Sequence, residues 1–185
     1  LHKDGRLIYL CANGVPIFFY FYFIIGYRGA TRDISKEKKH EQEIQFLAYY
    51  DQLTRLPNRT SLIGTMEELL NANEPFALAF IDLDQFKSVN DSLSHTVGDE
   101  LLKMTAQIFI NSIQPSDSVY RFGGDEFIIV FTNVQGTNDV KARIHKVLEN
   151  LAVPIEIDQV QLFNTASIGV SLFPEHGDNT ESLIK

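Results

Sequence analysis

The chain has 185 residues, 44% of them hydrophobic and 22% charged, a composition typical of a globular protein with a sizeable core. Its formal net charge of −8 argues against a nucleic-acid-binding surface but not against nucleotides, because a metal ion neutralises phosphates locally. The single Cys11 excludes an internal disulfide and fits a reducing compartment. No apolar run reaches the roughly 20 residues of a membrane-spanning helix. We therefore expect a cytoplasmic location without membrane contact within the chain. A membrane anchor upstream of Leu1 is compatible with this expectation.

The first 50 residues are predicted to form strands and then a helix. Residues 1–32 have strand-forming patterns, with Asn13-Gly14 as a turn signal, and the apolar stretch at 15–25 indicates a buried strand region. Residues 33–50 are densely charged and then carry apolar residues at helical spacing, which predicts a connector helix with Ser35 as its N-cap. Its narrow apolar stripe suits a two-stranded coiled coil, or a solvated helix packed on its own domain.

From Asp51 onwards, strand and helix patterns are mixed. Pro57-Asn58 interrupts the chain before a helix predicted at 60–71. The later predicted elements are a strand at 76–81, a helix at 98–113, strands at 118–121 and 126–131, a helix at 138–151 and a strand at 161–172. Strands mixed with helices and joined by a hairpin favour an α+β or mixed-sheet domain.

The glycine pair Gly123-Gly124 is predicted to form a tight hairpin tip, because glycine adopts positive φ without a steric penalty. Asp125 and Glu126 follow at once and precede a buried strand, so they can hold a divalent cation. Asp82 ends another apolar strand, and its carboxylate converges with theirs if the two strands are neighbours. Asp84 either points the same way as Asp82 or caps the following helix.

Four motifs resemble the GGDEF domain, the family of diguanylate cyclases that join two GTP molecules into cyclic di-GMP. They occur in the family's order and spacing, at 51–59, at 80–87 with 90–91, 95 and 98–99, at 121–127, and at 166–170 with 173–174. The resemblance implies an α+β domain over 51–185, with a central, mostly antiparallel sheet wrapped by helices as in nucleotidyl cyclase and polymerase palm domains. The family's last helix, which contacts the phosphates, would follow Lys185, so we expect a C-terminally truncated domain.

The resemblance also implies roles for individual residues. Magnesium, or manganese, would be bound by Asp82, Asp125 and the backbone carbonyl of Leu83. Asp125 and Glu126 would be catalytic, and Glu126 would either bind a second metal ion or help to deprotonate the ribose 3′-hydroxyl. The substrate-binding positions would be Phe86, Lys87, Asn90, Asp99, Gly123 and Gly124. An amide and a carboxylate suit the donors of guanine, which favours GTP over ATP.

Some of these residues also have an ordinary structural interpretation. Phe86 is of a type that favours core packing. Without the resemblance, Asn90 would be a turn residue and Asp99 a helix-start acid.

One family feature is altered. Many diguanylate cyclases carry an Arg-x-x-Asp inhibitory site that binds the cyclic di-GMP product, and its counterpart here is residues 114–117. Asp117 is retained, but Gln114 replaces the arginine and removes a charged, bidentate donor. We therefore expect a degenerate inhibitory site and slight product inhibition.

The chain before the GGDEF motifs resembles the C-terminal end of a PAS sensor domain. The resemblance covers residues 1–32 and rests on the segments 4–6, 14–17, 26–29 and 32–34. The stretch 18–23 lacks the Asp- and Gly-bearing hairpin turn usual there. Residues 33–50 would then be a signalling connector.

These features together predict a homodimeric diguanylate cyclase of bacterial signal transduction, dimerising through its GGDEF domains and connector helix. The alternative is a catalytically inactive GTP-binding module with a regulatory or dimerising role.

Overall fold

The computed structural model describes residues 7–19 and 23–185, and the chain divides into two compact units between Ala48 and Tyr49. In the first unit, β1 (Leu10–Phe19) pairs antiparallel with β2 (Phe23–Asp33), and α1 (Ser35–Tyr49) follows. The segment 4–6 of the PAS resemblance and the link at 20–22 between the strands lie outside the described residues.

Two expectations for the hairpin of β1 and β2 are wrong. Asn13 and Gly14 lie inside β1 and not in a turn. Gly14 faces Gly29 of β2, and a side chain on Gly29 would collide with the Asn13 carbonyl. The described apolar residues of 15–25 are exposed, with Val15 at 70% and Phe23 at 71%. Within the described part of this unit, α1 buries no residue, so the two-stranded ribbon has no second layer to cover it.

The predicted connector helix is present, but Ser35 is its first residue and not its N-cap. The Ser35 hydroxyl accepts a hydrogen bond from the Tyr9 backbone N–H at 2.9 Å, and the Ser35 N–H donates to the Asp33 carboxylate at 2.8 Å. The Asp33 carboxylate therefore accepts a hydrogen bond from the first backbone N–H group of the helix, which has no partner within the helix. In the expected apolar stripe, Ile44 is 67% exposed and Leu47 45% exposed.

The second unit contains eleven helices and strands between Arg59 and Ile184. They are α2 (Arg59–Ala72), β3 (Phe76–Leu83), α3 (Phe86–Ser92), α4 (His95–Ser112), β4 (Ser118–Gly123), β5 (Glu126–Thr132), α5 (Thr137–Leu151), β6 (Ile155–Ile157), β7 (Val160–Leu162), β8 (Ala166–Phe173) and α6 (Thr180–Ile184). The break at Pro57-Asn58 is confirmed, because the Asn58 side chain caps α2 by accepting from the N–H groups of Thr60 and Ser61. In the described part of the chain, no helix combines the length and apolar character needed to cross a membrane.

The central sheet has the strand order β4-β5-β3-β8, and every neighbouring pair is antiparallel. On one face, Ala79 and Ile81 of β3 pack in a core cluster with Phe109 of α4. On the other face, Leu78 packs with Met66 of α2. The predicted α+β fold with an antiparallel sheet and helices is confirmed, and the two covered faces explain why β3 and β5 are apolar along nearly their whole length.

The single strand predicted at 161–172 is wrong. The chain forms β6 and β7, turns between them at Asp158 and Gln159, which both have positive φ, and resumes as β8 only at Ala166. Asn164 interrupts the extended run because its buried side chain donates to the Thr105 hydroxyl at 3.0 Å. A tertiary hydrogen bond of this kind leaves no periodic signal in the sequence.

Candidate functional site

The tip of the β4–β5 hairpin, residues 123–125, is open to solvent on its glycine side. Gly123 and Gly124 are exposed, and a Cβ added to either would meet no atom within 4 Å. Gly124 has φ +51°, a conformation that side-chain-bearing residues rarely adopt. Glycine therefore suits the backbone shape of the tip, and the tip leaves room for a ligand beside the main chain.

The structure brings the predicted acidic residues to one end of the sheet. Asp82 of β3 lies directly opposite Glu126 of β5, and on its other side it lies opposite Ser167 of β8. The Leu83 N–H donates to the Asp125 carbonyl at 3.4 Å, which places Asp125 beside the end of β3. Like charges directly opposite each other on neighbouring strands are destabilising. A pair of acids at this position is therefore suited to binding a cation.

The arrangement fits magnesium in one particular mode. In the described part of the chain, no group of three or more His, Cys, Asp or Glu side chains is close enough to hold a metal ion without other ligands. Magnesium is usually bound through one or two carboxylates together with substrate phosphates and waters. Asp82 and Glu126 in register, with Asp125 adjacent, supply hard oxygen ligands of this type.

Asp84 lies just past the end of β3 and does not cap the following helix. Its carboxylate accepts hydrogen bonds from the Thr165 hydroxyl at 2.7 Å and the Ser167 hydroxyl at 2.9 Å. These two hydrogen bonds lower the pKa of Asp84. The N-cap position of α3 is Gln85, which makes no side-chain capping bond. Asp84 therefore joins the end of β3 to the start of β8.

The predicted guanine-binding residues lie on two helices that contact each other, Asn90 on α3 and Asp99 on α4. Asn90 of α3 packs so closely against Gly98 of α4 that a Cβ on Gly98 would lie 2.0 Å from the Asn90 Oδ1 atom. Asp99 is the next residue along α4 and is exposed. Phe86 is half-buried and packs against the core, while Lys87 is exposed. Because Asp99 follows Gly98 directly, its backbone lies beside the contact between α3 and α4.

An ion pair that the sequence analysis did not anticipate holds the hairpin tip. Arg121 donates to the Asp51 carboxylate at 2.8 Å, and its Nε and Nη2 atoms donate to the Gly124 carbonyl at 3.1 and 2.7 Å. Burial alone raises the pKa of Asp51, but hydrogen bonds from the Thr54 N–H, the Arg121 guanidinium and the Thr54 hydroxyl hold it below its ordinary value of 3.8. Asp51 and Arg121 belong to the motifs at 51–59 and 121–127, but no local sequence pattern links positions 70 residues apart.

The residues predicted to form a degenerate inhibitory site are enclosed by contacts within the protein. Asp117 is buried, and its carboxylate accepts from the backbone N–H groups of Gln114 and Thr132, each at 3.1 Å. Arg143 of α5 also donates to it at 3.1 Å. The Arg143 guanidinium further contacts Asp139, forming an ion pair at 2.8 Å. The oxygens of Asp117 are therefore engaged within the protein.

An antiparallel α+β domain with acids at a glycine hairpin tip defines a recognisable class. The diguanylate cyclase, GGDEF domain family matches residues 48–185, and the chain belongs to this family. Membership places it in cyclic di-GMP signalling.

The chain is similar to several curated proteins and to a solved structure. The chain is 35% identical over 159 residues to the signaling protein YkoW of Bacillus subtilis, covering 83% of this chain and 20% of YkoW. It is 39% identical over 145 residues to the cyclic di-GMP phosphodiesterase NbdA of Pseudomonas aeruginosa, covering 75% of this chain and 18% of NbdA. The solved GGDEF domain of TpbB from Pseudomonas aeruginosa matches with a TM-score of 0.70 and 33% identity, over 74% of this chain and 82% of that domain.

The whole TpbB protein is named a diguanylate cyclase and is 34% identical to this chain over 142 residues, which are 74% of this chain and 33% of TpbB. The chain thus spans a third or less of the length of these curated relatives.

Proposed function

We propose that this chain is the GGDEF domain of a diguanylate cyclase, which condenses two GTP molecules into cyclic di-GMP and releases two pyrophosphates. The observation that carries the proposal is the register of Asp82 opposite Glu126, with Asp125 adjacent at the glycine tip. A module that served only as a scaffold would have no use for opposed acids beside an open backbone. The name of TpbB, a diguanylate cyclase, supports the same activity.

The base would be bound at the contact between α3 and α4. The Asn90 amide would bond the N3 atom and the 2-amino group of guanine, and the Asp99 carboxylate would accept from N1–H and the same amine. Adenine lacks this pair of donors, so the site would select GTP over ATP. Lys87 is exposed and follows Phe86 directly, and its cationic side chain would reach the triphosphate.

In each condensation step, the ribose 3′-oxygen of one GTP forms a bond to the α-phosphorus of the other. The bond between the α-phosphorus and its bridging oxygen breaks, and pyrophosphate leaves. Glu126 would take the proton of the 3′-hydroxyl or would serve as a metal ligand while solvent takes it. Asp82, Asp125 and the Leu83 carbonyl would hold magnesium or manganese, which would neutralise charge on the phosphates when bound.

Two copies of the chain would be needed, because one site cannot hold the nucleophile and the electrophile in line. We therefore propose a homodimer in which each GGDEF domain presents one GTP. The exposed Ile44 and Leu47 of α1 suit a coiled coil between connector helices, and residues 1–32 would be the end of a PAS sensor. GTP and magnesium are both abundant in the bacterial cytoplasm, which is the location we propose.

A second candidate is a GTP-binding regulatory module without turnover. It is favoured by the name of NbdA, a cyclic di-GMP phosphodiesterase that contains a similar segment. This module would bind GTP through Asn90 and Asp99 and would form no cyclic di-GMP.

The test compares Asp125→Asn with the wild type in the full protein, using GTP and magnesium and measuring cyclic di-GMP by chromatography. The substitution removes a charge from an accessible tip, so we expect turnover to fall below detection with an unchanged thermal midpoint. Asp158→Asn is the matched control, since it makes the same change at the β6–β7 turn, where asparagine tolerates the positive φ. Equal turnover by Asp125→Asn and wild type would overturn the assignment, and GTP binding without any product in the wild type would favour the regulatory module.

A further inference from the structure

We infer that Asp51 and Arg121 are positioning residues, which fix the peptide between Gly124 and Asp125 and thereby orient the Asp125 carboxylate. The inference deepens the proposed function, on which its consequence for metal binding rests. Neither side chain is assigned to substrate or metal. Their effect would be transmitted through a main-chain carbonyl.

The contact geometry constrains one peptide group specifically. Two N–H groups of the Arg121 guanidinium, on Nε and Nη2, converge on the Gly124 carbonyl oxygen at 3.1 and 2.7 Å. That carbonyl belongs to the peptide whose nitrogen is the backbone nitrogen of Asp125. On the far side of Asp125, its own carbonyl accepts from the Leu83 N–H at 3.4 Å. The main chain is therefore held both before and after the residue that carries the carboxylate.

Side-chain packing does not provide this constraint at the glycines. The spaces where Cβ atoms of Gly123 and Gly124 would lie have no atom within 4 Å, and both residues are exposed. Glycine in such an open position samples many backbone conformations. The pairing of Gly123 with Glu126 restrains the hairpin, and the hydrogen bonds of Arg121 hold the Gly124 carbonyl in one orientation.

Asp51 sets the orientation of the Arg121 guanidinium. Its Oδ1 atom accepts from Arg121 Nη1 at 2.8 Å and from the N–H and hydroxyl of Thr54, both at 2.7 Å. The Arg121 side chain is only 13% exposed and that of Asp51 24% exposed, so water screens the pair weakly. The Thr54 bonds fix the carboxylate, and the carboxylate in turn fixes the guanidinium.

The neighbours of Arg121 are held from the same part of the chain. Arg59 lies over the ring of Phe122, 4.7 Å from its centroid, and the Arg121 N–H donates to the Pro57 carbonyl at 3.0 Å. The Tyr120 hydroxyl donates to the hydroxyl of Thr65 in α2 at 2.9 Å. The segment 51–65 thus contacts the last residues of β4 before the tip, and Asp51–Arg121 is its link to the tip itself.

The experiment uses Asp51→Asn and Arg121→Lys in the full protein, with Lys103→Gln as a matched control that removes an exposed ion pair. Asparagine keeps an oxygen that accepts from Thr54, and lysine keeps the positive charge but cannot donate to two acceptors in one plane. Hydrogen exchange of the peptide spanning 119–128 is measured without nucleotide or metal. Manganese affinity is measured by electron paramagnetic resonance in the presence of a non-hydrolysable GTP analogue.

Both variants are expected to exchange faster at the tip and to bind manganese about 10-fold more weakly, as is typical when residues behind metal ligands are changed. The preference for the GTP analogue over its ATP counterpart should not change, because Asn90 and Asp99 are untouched. Unchanged exchange and unchanged manganese affinity in both variants would overturn the inference, and so would a normal Arg121→Lys, since charge alone would then suffice. A wild type that binds manganese but forms no product would defeat the proposed activity and leave this comparison of variants intact.

Discussion

The two ends of β4 carry the same chemical pair, an arginine with an aspartate, in different surroundings. At the start of the strand, the Asp117 side chain is 1% exposed and its Arg143 partner 12% exposed. Near the end, Asp51 is 24% exposed and Arg121 13% exposed. Asp117 is bonded to main-chain N–H groups of its own loop and of β5, whereas Arg121 bonds the carbonyl of an open glycine tip.

This difference separates a structural pair from one that acts on a proposed site. The Asp117–Arg143 pair is enclosed, and the hydrogen bonds of Asp117 join its own loop to β5 and α5. The Asp51–Arg121 pair ends on a backbone that lies in solvent and carries a proposed metal ligand. Substitutions in the Asp117–Arg143 pair are therefore expected to lower stability, and substitutions in the Asp51–Arg121 pair to weaken ligand binding.

The largest expected effect is on stability, at the enclosed end. Asp117→Ala leaves Arg143 without its buried partner, and breaking such a pair typically costs about 3–5 kcal/mol. Urea denaturation would measure this as a lower midpoint. Asp139→Asn, which removes the more exposed carboxylate from the same arginine, is the control and should cost less. If the two variants unfold at the same urea concentration, the enclosed Asp117–Arg143 pair contributes no more to stability than the Asp139–Arg143 pair.

The next effect is on nucleotide selection, at the contact between α3 and α4. Asn90→Ala or Asp99→Ala removes a guanine-directed bond, which should weaken GTP binding by about 1–3 kcal/mol and leave ATP binding nearly unchanged. Calorimetry with both nucleotides measures the difference, and Glu100→Gln, one residue beyond Asp99, is the control. Equal weakening of GTP and ATP would mean that these residues do not read the base.

A third prediction concerns product inhibition. The wild type should be inhibited only slightly by cyclic di-GMP, because Gln114 replaces the charged arginine of the family's site. Gln114→Arg should not restore inhibition, since Asp117 is already bonded to two N–H groups and to Arg143. Activity with micromolar cyclic di-GMP tests both statements. Strong non-competitive inhibition of the wild type, or its appearance in the variant, would show that this end of β4 binds the product.

The smallest effect is expected in the pH dependence of stability. The folded-state pKa of Asp51 lies below its ordinary value of 3.8, so its contribution is present above that pH and is lost as the pH falls through the lower folded value. The thermal midpoint of the wild type should therefore fall more steeply than that of Asp51→Asn below about pH 4. Parallel acid-side curves for the two proteins would contradict the assignment of this carboxylate to a stabilising pair.

The amino-acid sequence by itself determined the class of the fold and the candidate site. The apolar run of strand length at Phe76–Leu83 carries Asp82 at its end, and the run at Glu126–Thr132 begins with an acid directly after a glycine pair and Asp125. Buried strands and a positive-φ tip leave local signals of residue type and spacing, which is why α2, β3, β4, β5 and α5 were predicted close to their observed bounds. The roles of Asp82, Asp125, Glu126, Asn90 and Asp99 rest on motif resemblance and stay predictions.

Only the tertiary structure decided which residues support those motifs. The Asp51–Arg121 and Asp117–Arg143 pairs join residues 70 and 26 positions apart, and the bonds of Asp84 reach 81 and 83 residues along the chain. Contacts at such separations follow from how strands and helices pack, and no periodicity in the sequence records them. The same physical reason explains the errors at 15–25 and 161–172, where burial and strand continuity depended on partners that the local sequence does not specify.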